Sequence, residues 1–380
     1  MQLTTDRKKA LLCTNGIVEF GGAPIVVVEV AEYLASRGFE TVIAANYVGD
    51  PFKAEVERTG ISITDDPGTL NAFDFDIVWL QNHIAPLLRY ELTTGSKKRT
   101  TFVFAHLSPT GKLAFPGPIL QPLLADWTLA NSEETKSNLV QVGVPESDIC
   151  LFPNPAPAAF WTYRKPPSDL RVVRAISNHA PVEVTEALKI LGSMGLAIEL
   201  VGKAGQSYQR VSPELIAETS ALITIGKSVQ YAIASGVPTY VYDRFGGPGY
   251  LSQDNFDIAA ATNFSGRCCK RRANAAMIAS EIVDGFSRAS RYVMAIPAGT
   301  LSKYRLEPHI DQIINTTAKP NAERLASLTA QMQLLRREHA MAQLIRGNFR
   351  SVKLRDAQVA KLRRDIQALQ ARRNGGAHAT

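Results

Sequence analysis

The sequence predicts an α/β fold in which two doubly wound domains face a central cleft and a helical tail follows. Short β-branched apolar runs alternate with segments of helical periodicity, as in parallel sheets with right-handed crossovers. A proline-rich segment interrupts this alternation, which then restarts. We therefore expect a first domain over residues 1–155, a second domain over 156–305, a helix over 306–320 that returns toward the first domain, and a basic tail over 321–380.

Composition limits the class of protein. A chain of 380 residues with a hydrophobic fraction of 45% has enough apolar residues for two cores. The sequence contains no membrane-span run and no signal-peptide apolar stretch, so we expect a cytoplasmic protein. The net charge of +7 arises in the tail, where residues 321–380 contain twelve Lys or Arg and four Asp or Glu.

The first domain alternates predicted strands and helices in the order expected for a parallel sheet. Strands are predicted over residues 9–14, 39–46, 61–63, 75–82, 100–106, 126–131 and 148–152. Helices are predicted over 25–36 and over 132–143, the second with Ser132 as its N-cap. Because ligands of such sheets bind at the carboxyl ends of the strands, the site is expected there.

Candidate acceptor-side residues lie at this edge of the first domain. The loop over 16–22 contains Gly21 and Gly22, which allow the backbone to approach a ligand closely before a helix N-terminus. Glu19 lies in this loop, and His106 ends a strand, where a histidine is able to accept a proton from a hydroxyl. We predict His106 or Glu19 as the catalytic base, with a structural histidine as the alternative for His106. The connection over 106–118 is predicted to shape an acceptor pocket.

The second domain begins after the proline-rich segment over 153–167, which we interpret as a stiff extended linker. A strand ending near Ser177, a helix over 182–193 and a strand over 197–202 are predicted next. The stretch over 221–251 then predicts a strand, a turn, a helix over 227–235, a further strand and a glycine-rich loop.

This last stretch carries the predicted donor site. Lys227, Ser228 and the backbone N–H of Val229 lie at a helix N-terminus, where unpaired donors and the helix dipole favour a phosphate. The alternative is a tight turn with a surface lysine. The other polar or glycine positions predicted to bind the donor are His179, Lys203, Glu214, Asp243, Gly246, Gly247 and Tyr250.

Several segments resemble a known family. GGAP before the first helix, FDIVWLQN, LANSEETKSNL, the proline linker and ASGVP together resemble a GT-B-fold glycosyltransferase over residues 8–317. SNHAP, VGKAG and ITIGKSVQYAIASGVPTYVYDRFGGPGYL are similar to a branch of bacterial surface-polysaccharide glycosyltransferases. The GT-B group that it resembles most binds the donor diphosphate with an arginine and a lysine, and the ribose with a glutamate before AxAxGxP. Here residues 177–179 and Tyr231 occupy those places, which departs from the UDP- or GDP-sugar pattern. His179 followed by Ala180 and Pro181 resembles the His-Pro element of transferases that use CMP-activated sugars, so a CMP-sugar donor stays open.

The resemblance implies an enzyme that moves a sugar from a nucleotide-activated donor to a saccharide or lipid-linked acceptor in bacterial surface glycan assembly. The donor is a substrate, so no cofactor is expected, and because no DxD pair suggests a divalent ion we expect metal-independent transfer. His179, Lys203, Lys227 and Ser228 would then stabilise the leaving phosphate. Two other classes remain open, a nucleotide-sugar epimerase of the same architecture and a non-catalytic nucleotide-sugar-binding scaffold.

The tail has a heptad-like pattern, since its apolar residues from Leu328 to Leu369 recur at spacings of three, four or seven. We predict a coiled coil that forms a homo-oligomer or docks a partner protein. The alternative is a basic amphipathic helix on anionic lipid at the inner face of the cytoplasmic membrane. Nucleic-acid binding is not expected, because the basic residues lack interleaved aromatic residues.

Overall fold

The computed structural model describes residues 7–110 and 117–376. Its first sheet contains seven parallel strands in the order β3-β2-β1-β4-β5-β6-β7. The strands are β1 (Lys9–Ile17), β2 (Glu40–Val48), β3 (Ser62–Thr64), β4 (Ile77–Leu80), β5 (Thr101–His106), β6 (Trp127–Ala130) and β7 (Ile149–Leu151). The strand order reverses between β1 and β4, which creates a crevice at the carboxyl ends of these strands.

Among the described residues, the helices between the strands of this sheet are α1 (Gly22–Ser36), α2 (Phe52–Glu57), α3 (Leu120–Leu124) and α4 (Glu133–Gln141). Helix α1 buries its apolar residues in the core beside β1 and β2. Helix α4 begins as predicted, because the Ser132 side chain accepts a hydrogen bond from the backbone N–H of Thr135.

The second sheet has five strands in the order β12-β11-β10-β8-β9, and its order reverses between β8 and β10. The strands are β8 (Val172–Ile176), β9 (Ala197–Val201), β10 (Ala221–Thr224), β11 (Thr239–Asp243) and β12 (Gly246–Tyr250). The helices after β8 are α5 (Val182–Ser193), α6 (Pro213–Ala217), α7 (Lys227–Ser235), α8 (Phe256–Ala261), α9 (Ala275–Ala295), α10 (Ala298–Ser302) and α11 (Leu306–Ile314). Two Rossmann-like α/β domains facing a cleft, with a helical C-terminal region, confirm the predicted GT-B fold class.

The predicted glycine-rich loop over 243–250 is a strand for most of its length. Strand β12 pairs antiparallel with β11, and the chain turns at Asp243 to Gly246. A Cβ at Gly246 would lie 2.0 Å from the Arg271 carbonyl oxygen, and one at Gly247 would lie 2.0 Å from that of Val241. These glycines therefore permit the backbone to approach other backbone rather than a ligand.

The proline-rich segment between the sheets is packed against both flanking regions. The Phe160 ring stacks on the Tyr231 ring with centroids 3.9 Å apart. The Ala156 backbone N–H donates to the Tyr304 carbonyl at 2.8 Å, and its carbonyl accepts from the Leu306 N–H at 3.1 Å. The linker thus lies against α7 and the start of α11.

The chain ends in α12 (Asn321–Ala330) and α13 (Met332–Gly376). Residues 321–380 are predicted to form one tail, but α12 packs within the first domain. Arg324, 2% exposed, lies 2.6 Å from the Asp126 carboxylate, and Leu328 joins the core cluster beside β4 and β5. The first part of the predicted tail, α12, therefore belongs to the packed structure of the first domain.

One face of α13 also rests on the first domain. The Glu338 carboxylate accepts hydrogen bonds from the backbone N–H groups of Ile119 and Leu120, and Lys353 lies 3.2 Å from Glu19. Beyond Lys353 the apolar side chains from Leu354 to Leu369 are exposed. No helix within the described residues is long and apolar enough to span a membrane.

Candidate active site

A cleft of about 540 Å³ lies where the carboxyl ends of the two sheets face each other. The first domain contributes Phe20 to Ala23, Ile25 and Leu107 to its wall, and Asn154 follows from the linker. The second domain contributes 177–181 after β8, Gly202 after β9, 225–228 after β10 and 242–245 after β11, together with Tyr208, Asn263 and Arg267. The switch point of the second sheet opens into this cleft, because residues after β8 and β10 line it, and the first domain lines it with the segment after β1.

The start of α7 forms the floor of the cleft on the second domain. Gly226 precedes the helix with φ 56° and ψ −134°, a backbone conformation that favours glycine. Ser228 is half-buried and lines the cleft. The Val229 N–H donates to the Gly226 carbonyl at 2.9 Å, so this predicted phosphate donor already has a backbone partner.

Lys227 is buried at the junction of the two domains. Its Nζ lies 2.7 Å from Oε2 of Glu29 on α1 and donates to the carbonyl oxygens of Asn154 and Pro155. Burial lowers the pKa of Lys227, and the Glu29 charge opposes this shift. The Tyr231 hydroxyl donates to the other Glu29 oxygen, and burial followed by the Glu29 charge raises the pKa of Tyr231 well above its usual value. The Glu29 carboxylate of the first domain thus binds Lys227 and Tyr231, two of the residues at the predicted donor site.

Three further ion pairs join the domains around the cleft, each with its carboxylate on the first domain. They are Glu19–Lys203 at 2.7 Å, Glu32–Arg210 at 2.6 Å and Glu134–Arg267 at 2.6 Å. Although burial favours the neutral acid, hydrogen bonds and charges from Lys203 and Lys353 lower the pKa of Glu19. Glu19 is therefore a carboxylate held by two ammonium groups, and Lys203 lies at the rim rather than in the wall of the cleft.

Among the described residues that line the cleft, Arg244, Arg267 and Lys227 carry the permanent positive charges. The guanidinium carbons of Arg244 and Arg267 lie 4.8 Å and 6.0 Å from the centroid of the Phe245 ring. Asp243 fixes this corner, since its carboxylate accepts from the Ser265 hydroxyl and from the backbone N–H groups of Phe245 and Gly266. The arrangement is suited to an anionic ligand.

The remaining predicted residues divide between the cleft and other places. Gly21, Gly22, His179, Tyr231 and Asp243 line it. Glu214 is exposed on α6 and accepts from the Tyr163 hydroxyl at 3.3 Å, outside the cleft. Gly246 and Gly247 belong to β12, and the Tyr250 hydroxyl donates to the Ile282 carbonyl.

His106 lies outside the cleft and is 1% exposed. Its Nε2 is 3.1 Å from Oε1 of Gln121, and burial lowers its pKa to about 4. His83 directly follows the predicted strand over 75–82, so it is also expected at this edge, but it lines a separate cavity of about 1120 Å³ on the first domain with Gln121. The structure therefore does not gather His106, His83 and Glu19 at one place. The predicted acceptor connection over 106–118 lies in part outside the described residues.

Sequence reasoning missed a strained amide cluster beside α7. Asn154, Asn263 and Phe264 have φ of 48°, 54° and 52°. The Asn154 and Gln230 side-chain amides both donate to Oδ1 of Asn263 at 3.1 Å. Oδ1 of Asn154 and Oε1 of Gln230 are buried acceptors with no donor among the residues that the structure describes. Non-glycine residues in this conformation concentrate at functional sites, and Asn154 and Asn263 line the cleft.

Comparison with known proteins agrees with this architecture. Residues 20–160 match the family model described as Glycosyltransferase Family 4. No curated protein sequence matches the chain.

Solved structures with a similar fold include Anabaena Alr3699/HepE in complex with UDP and glucose, with a TM-score of 0.47 and 16% identity over 84% of this chain and 100% of that chain. UDP-GlcNAc 2-epimerase from Neisseria meningitidis has a TM-score of 0.47 and 10% identity over 81% and 100%. Lipopolysaccharide outer core galactosyltransferase WaaB has a TM-score of 0.40 and 14% identity over 75% and 99%. The match to the family model confirms the predicted resemblance to GT-B-fold glycosyltransferases, and the predicted enzyme class, a glycosyltransferase, is confirmed.

Proposed function

We propose that the chain transfers a glycosyl group from a nucleotide-sugar donor in the cleft to a saccharide or lipid-linked acceptor in bacterial surface glycan assembly. The observation that carries this proposal is the cleft itself. Its volume of about 540 Å³ lies within the range of small-ligand sites, and the switch point of the second sheet opens into it. The Family 4 match over residues 20–160 supports sugar transfer as the chemistry.

The chemical role proposed for the cleft is stabilisation of the leaving phosphate. Arg244, Arg267 and His179 surround the space in front of Ser228 at the start of α7. Positive groups and helix N-termini offset the charge that develops on a departing nucleotide diphosphate. Metal-independent transfer remains a prediction that follows from this use of protein cations.

Incubation of the protein with UDP-, GDP-, CMP- and dTDP-sugars tests the activity. Transfer predicts release of the free nucleotide from one of these donors, faster when a matching acceptor is added. Isomerisation of the donor sugar without nucleotide release would instead identify an epimerase. Intact donors that nevertheless bind would identify a non-catalytic scaffold.

We also propose that α13 pairs with α13 of a second copy of this chain. Val352, Val359 and Ile366 recur every seven residues, and Leu362 and Leu369 lie three residues after the last two of them. These five side chains are 47% to 63% exposed.

The exposed stripe lies on a different side of α13 from Ala342, Arg346 and Lys353, which contact the first domain. β-branched residues at the first heptad core position, with leucine at the second, favour two-stranded coiled coils. In the heptad that begins at Val352, Arg355 occupies the second core position in place of leucine. Pairing would therefore leave the docked face of the helix in place.

A further inference from the structure

We propose that Arg267 binds the donor phosphate and that Glu134 competes with that phosphate for the same guanidinium group. The inference rests on the proposed function and deepens it, because it assigns the charge that selects an anionic donor. It also makes the Glu134 carboxylate a determinant of donor affinity, although Glu134 belongs to the opposite domain.

The geometry of Arg267 is that of an anion-binding fork. Its Nε lies 3.1 Å from Oε1 of Glu134, and its Nη2 lies 2.6 Å from Oε2. Its Nη1 donates to the Ser265 hydroxyl at 3.0 Å. A planar guanidinium that binds a carboxylate through two parallel bonds presents the same two donors to a phosphate.

Arg267 is also placed beside the start of α7. Its Nη2 donates to the Thr262 carbonyl at 3.4 Å, and the Gly226 N–H donates to the Phe264 carbonyl at 3.4 Å. The short segment over 262–267 therefore connects the guanidinium to the helix N-terminus, and both line the same cleft. A phosphate in front of Ser228 would meet the helix dipole and Arg267 together.

Asp243 holds Arg267 in this position. The Asp243 carboxylate accepts from the Ser265 hydroxyl at 2.8 Å and from the Gly266 N–H at 3.1 Å, immediately before Arg267. Asp243 is therefore a positioning residue rather than a ligand of the donor. Because Asp243 positions Arg267, its carboxylate lies at the edge of a site that binds anions.

Glu134 is suited to be displaced. Its side chain and that of Arg267 are 30% and 29% exposed, so solvent reaches the pair and screens part of its attraction. A diphosphate carries more charge than one carboxylate, so it forms the stronger pair with the same guanidinium. Removal of the Glu134 charge should therefore tighten donor binding.

The test measures the affinity of the full-length protein for UDP, GDP, CMP and dTDP by calorimetry, and for the matching nucleoside without phosphate. For the nucleotide that binds, R267Q should weaken affinity by about tenfold or more, and R267K should restore part of it. E134Q should tighten affinity about threefold. E133Q removes the same charge from the first turn of α4 without touching Arg267, so it should leave affinity unchanged. Nucleoside affinity should not change in any variant.

The outcomes separate the two proposals. A wild-type protein that binds a nucleotide, with unchanged affinity in R267Q and E134Q, would overturn this inference and leave the proposed function intact. Equal loss of nucleoside and nucleotide binding in R267Q would also overturn it, since that pattern indicates a structural role. Absence of binding to every nucleotide, in wild type and E134Q alike, would contradict the proposed function together with the inference.

Discussion

Lys227 Nζ and Glu29 Oε2 lie 2.7 Å apart across the junction of the two domains, with side chains only 5% and 2% exposed. Truncation of one partner leaves an uncompensated buried charge, which costs about 3–5 kcal/mol. We therefore expect K227M to lower the free energy of unfolding by this amount in urea titrations. The double variant K227M/E29L should recover the part due to the unpaired Glu29 charge, but not the hydrogen bonds of Tyr231 and the two carbonyl groups.

The rim pair Glu19–Lys203 provides a matched control, because its side chains are 35% and 36% exposed. Solvent-exposed pairs contribute about 0–1 kcal/mol, so K203M should change the unfolding free energy little. Equal losses in K227M and K203M would show that burial of the Lys227 pair has no energetic consequence.

The Lys227–Glu29 pair also allows a structural lysine to be distinguished from a phosphate ligand. Lys227 already binds Glu29 and two carbonyl oxygens, so its ammonium group has its hydrogen bonds satisfied within the protein. We expect the K227M/E29L variant, once shown to be folded, to bind nucleotide within about threefold of wild type. A loss of about tenfold or more, as expected for R267Q, would instead return Lys227 to the donor site that the sequence predicted.

His106 predicts how stability depends on pH. Burial lowers its pKa from 6.5 to about 4, while the hydrogen bond with Gln121 acts in the opposite direction. Between these two values the unfolded chain binds the proton and the folded chain does not, so stability is complete above pH 6.5 and falls as the pH decreases toward 4. The full difference corresponds to about 3 kcal/mol.

The variant H106Q isolates this contribution from that of the carboxylates. The difference in unfolding free energy between wild type and H106Q should be constant above pH 6.5 and should shift against wild type below it. Parallel stability curves over that whole interval would mean that His106 is not buried in its neutral form.

Pairing of α13 predicts a dimer in sedimentation experiments. L362E/L369E places charges on the exposed heptad stripe, so it should convert the dimer to a monomer. L354E is the matched control, since Leu354 is 52% exposed but lies off that stripe. A wild-type monomer would contradict the coiled coil, and retention of L354E but not L362E/L369E on anionic vesicles would favour the membrane alternative.

Local sequence patterns predicted helices and strands well where the residues within one segment determine its structure. The helices Val182–Ser193 and Lys227–Ser235 have the predicted bounds, because glycine or proline and apolar spacing mark their ends. Ser132 is an N-cap for the same local reason. The carboxyl ends of β8 and β10 line the cleft as expected from sheet topology.

The site itself depends on contacts between distant segments, which no local pattern records. Glu29 and Lys227 are far apart in the sequence, as are Glu134 and Arg267, and each pair forms only when the domains meet. The glycines of β12 have the composition of a ligand loop, yet their close contacts are with Arg271 and Val241 backbone. Arg267 lies in a short turn, and no motif in the sequence indicates that it belongs to the site.

The central claim is that the cleft binds a nucleotide-sugar donor, and a thermal-shift measurement with UDP, GDP, CMP and dTDP tests it most directly. A ligand that binds only the folded protein at about 100 times its dissociation constant stabilises it by about 2.7 kcal/mol, which raises the Tm by several degrees. We predict such a rise for one of the four nucleotides, and a smaller rise for R267Q under the same conditions. An unchanged Tm with all four nucleotides at millimolar concentration would contradict the account.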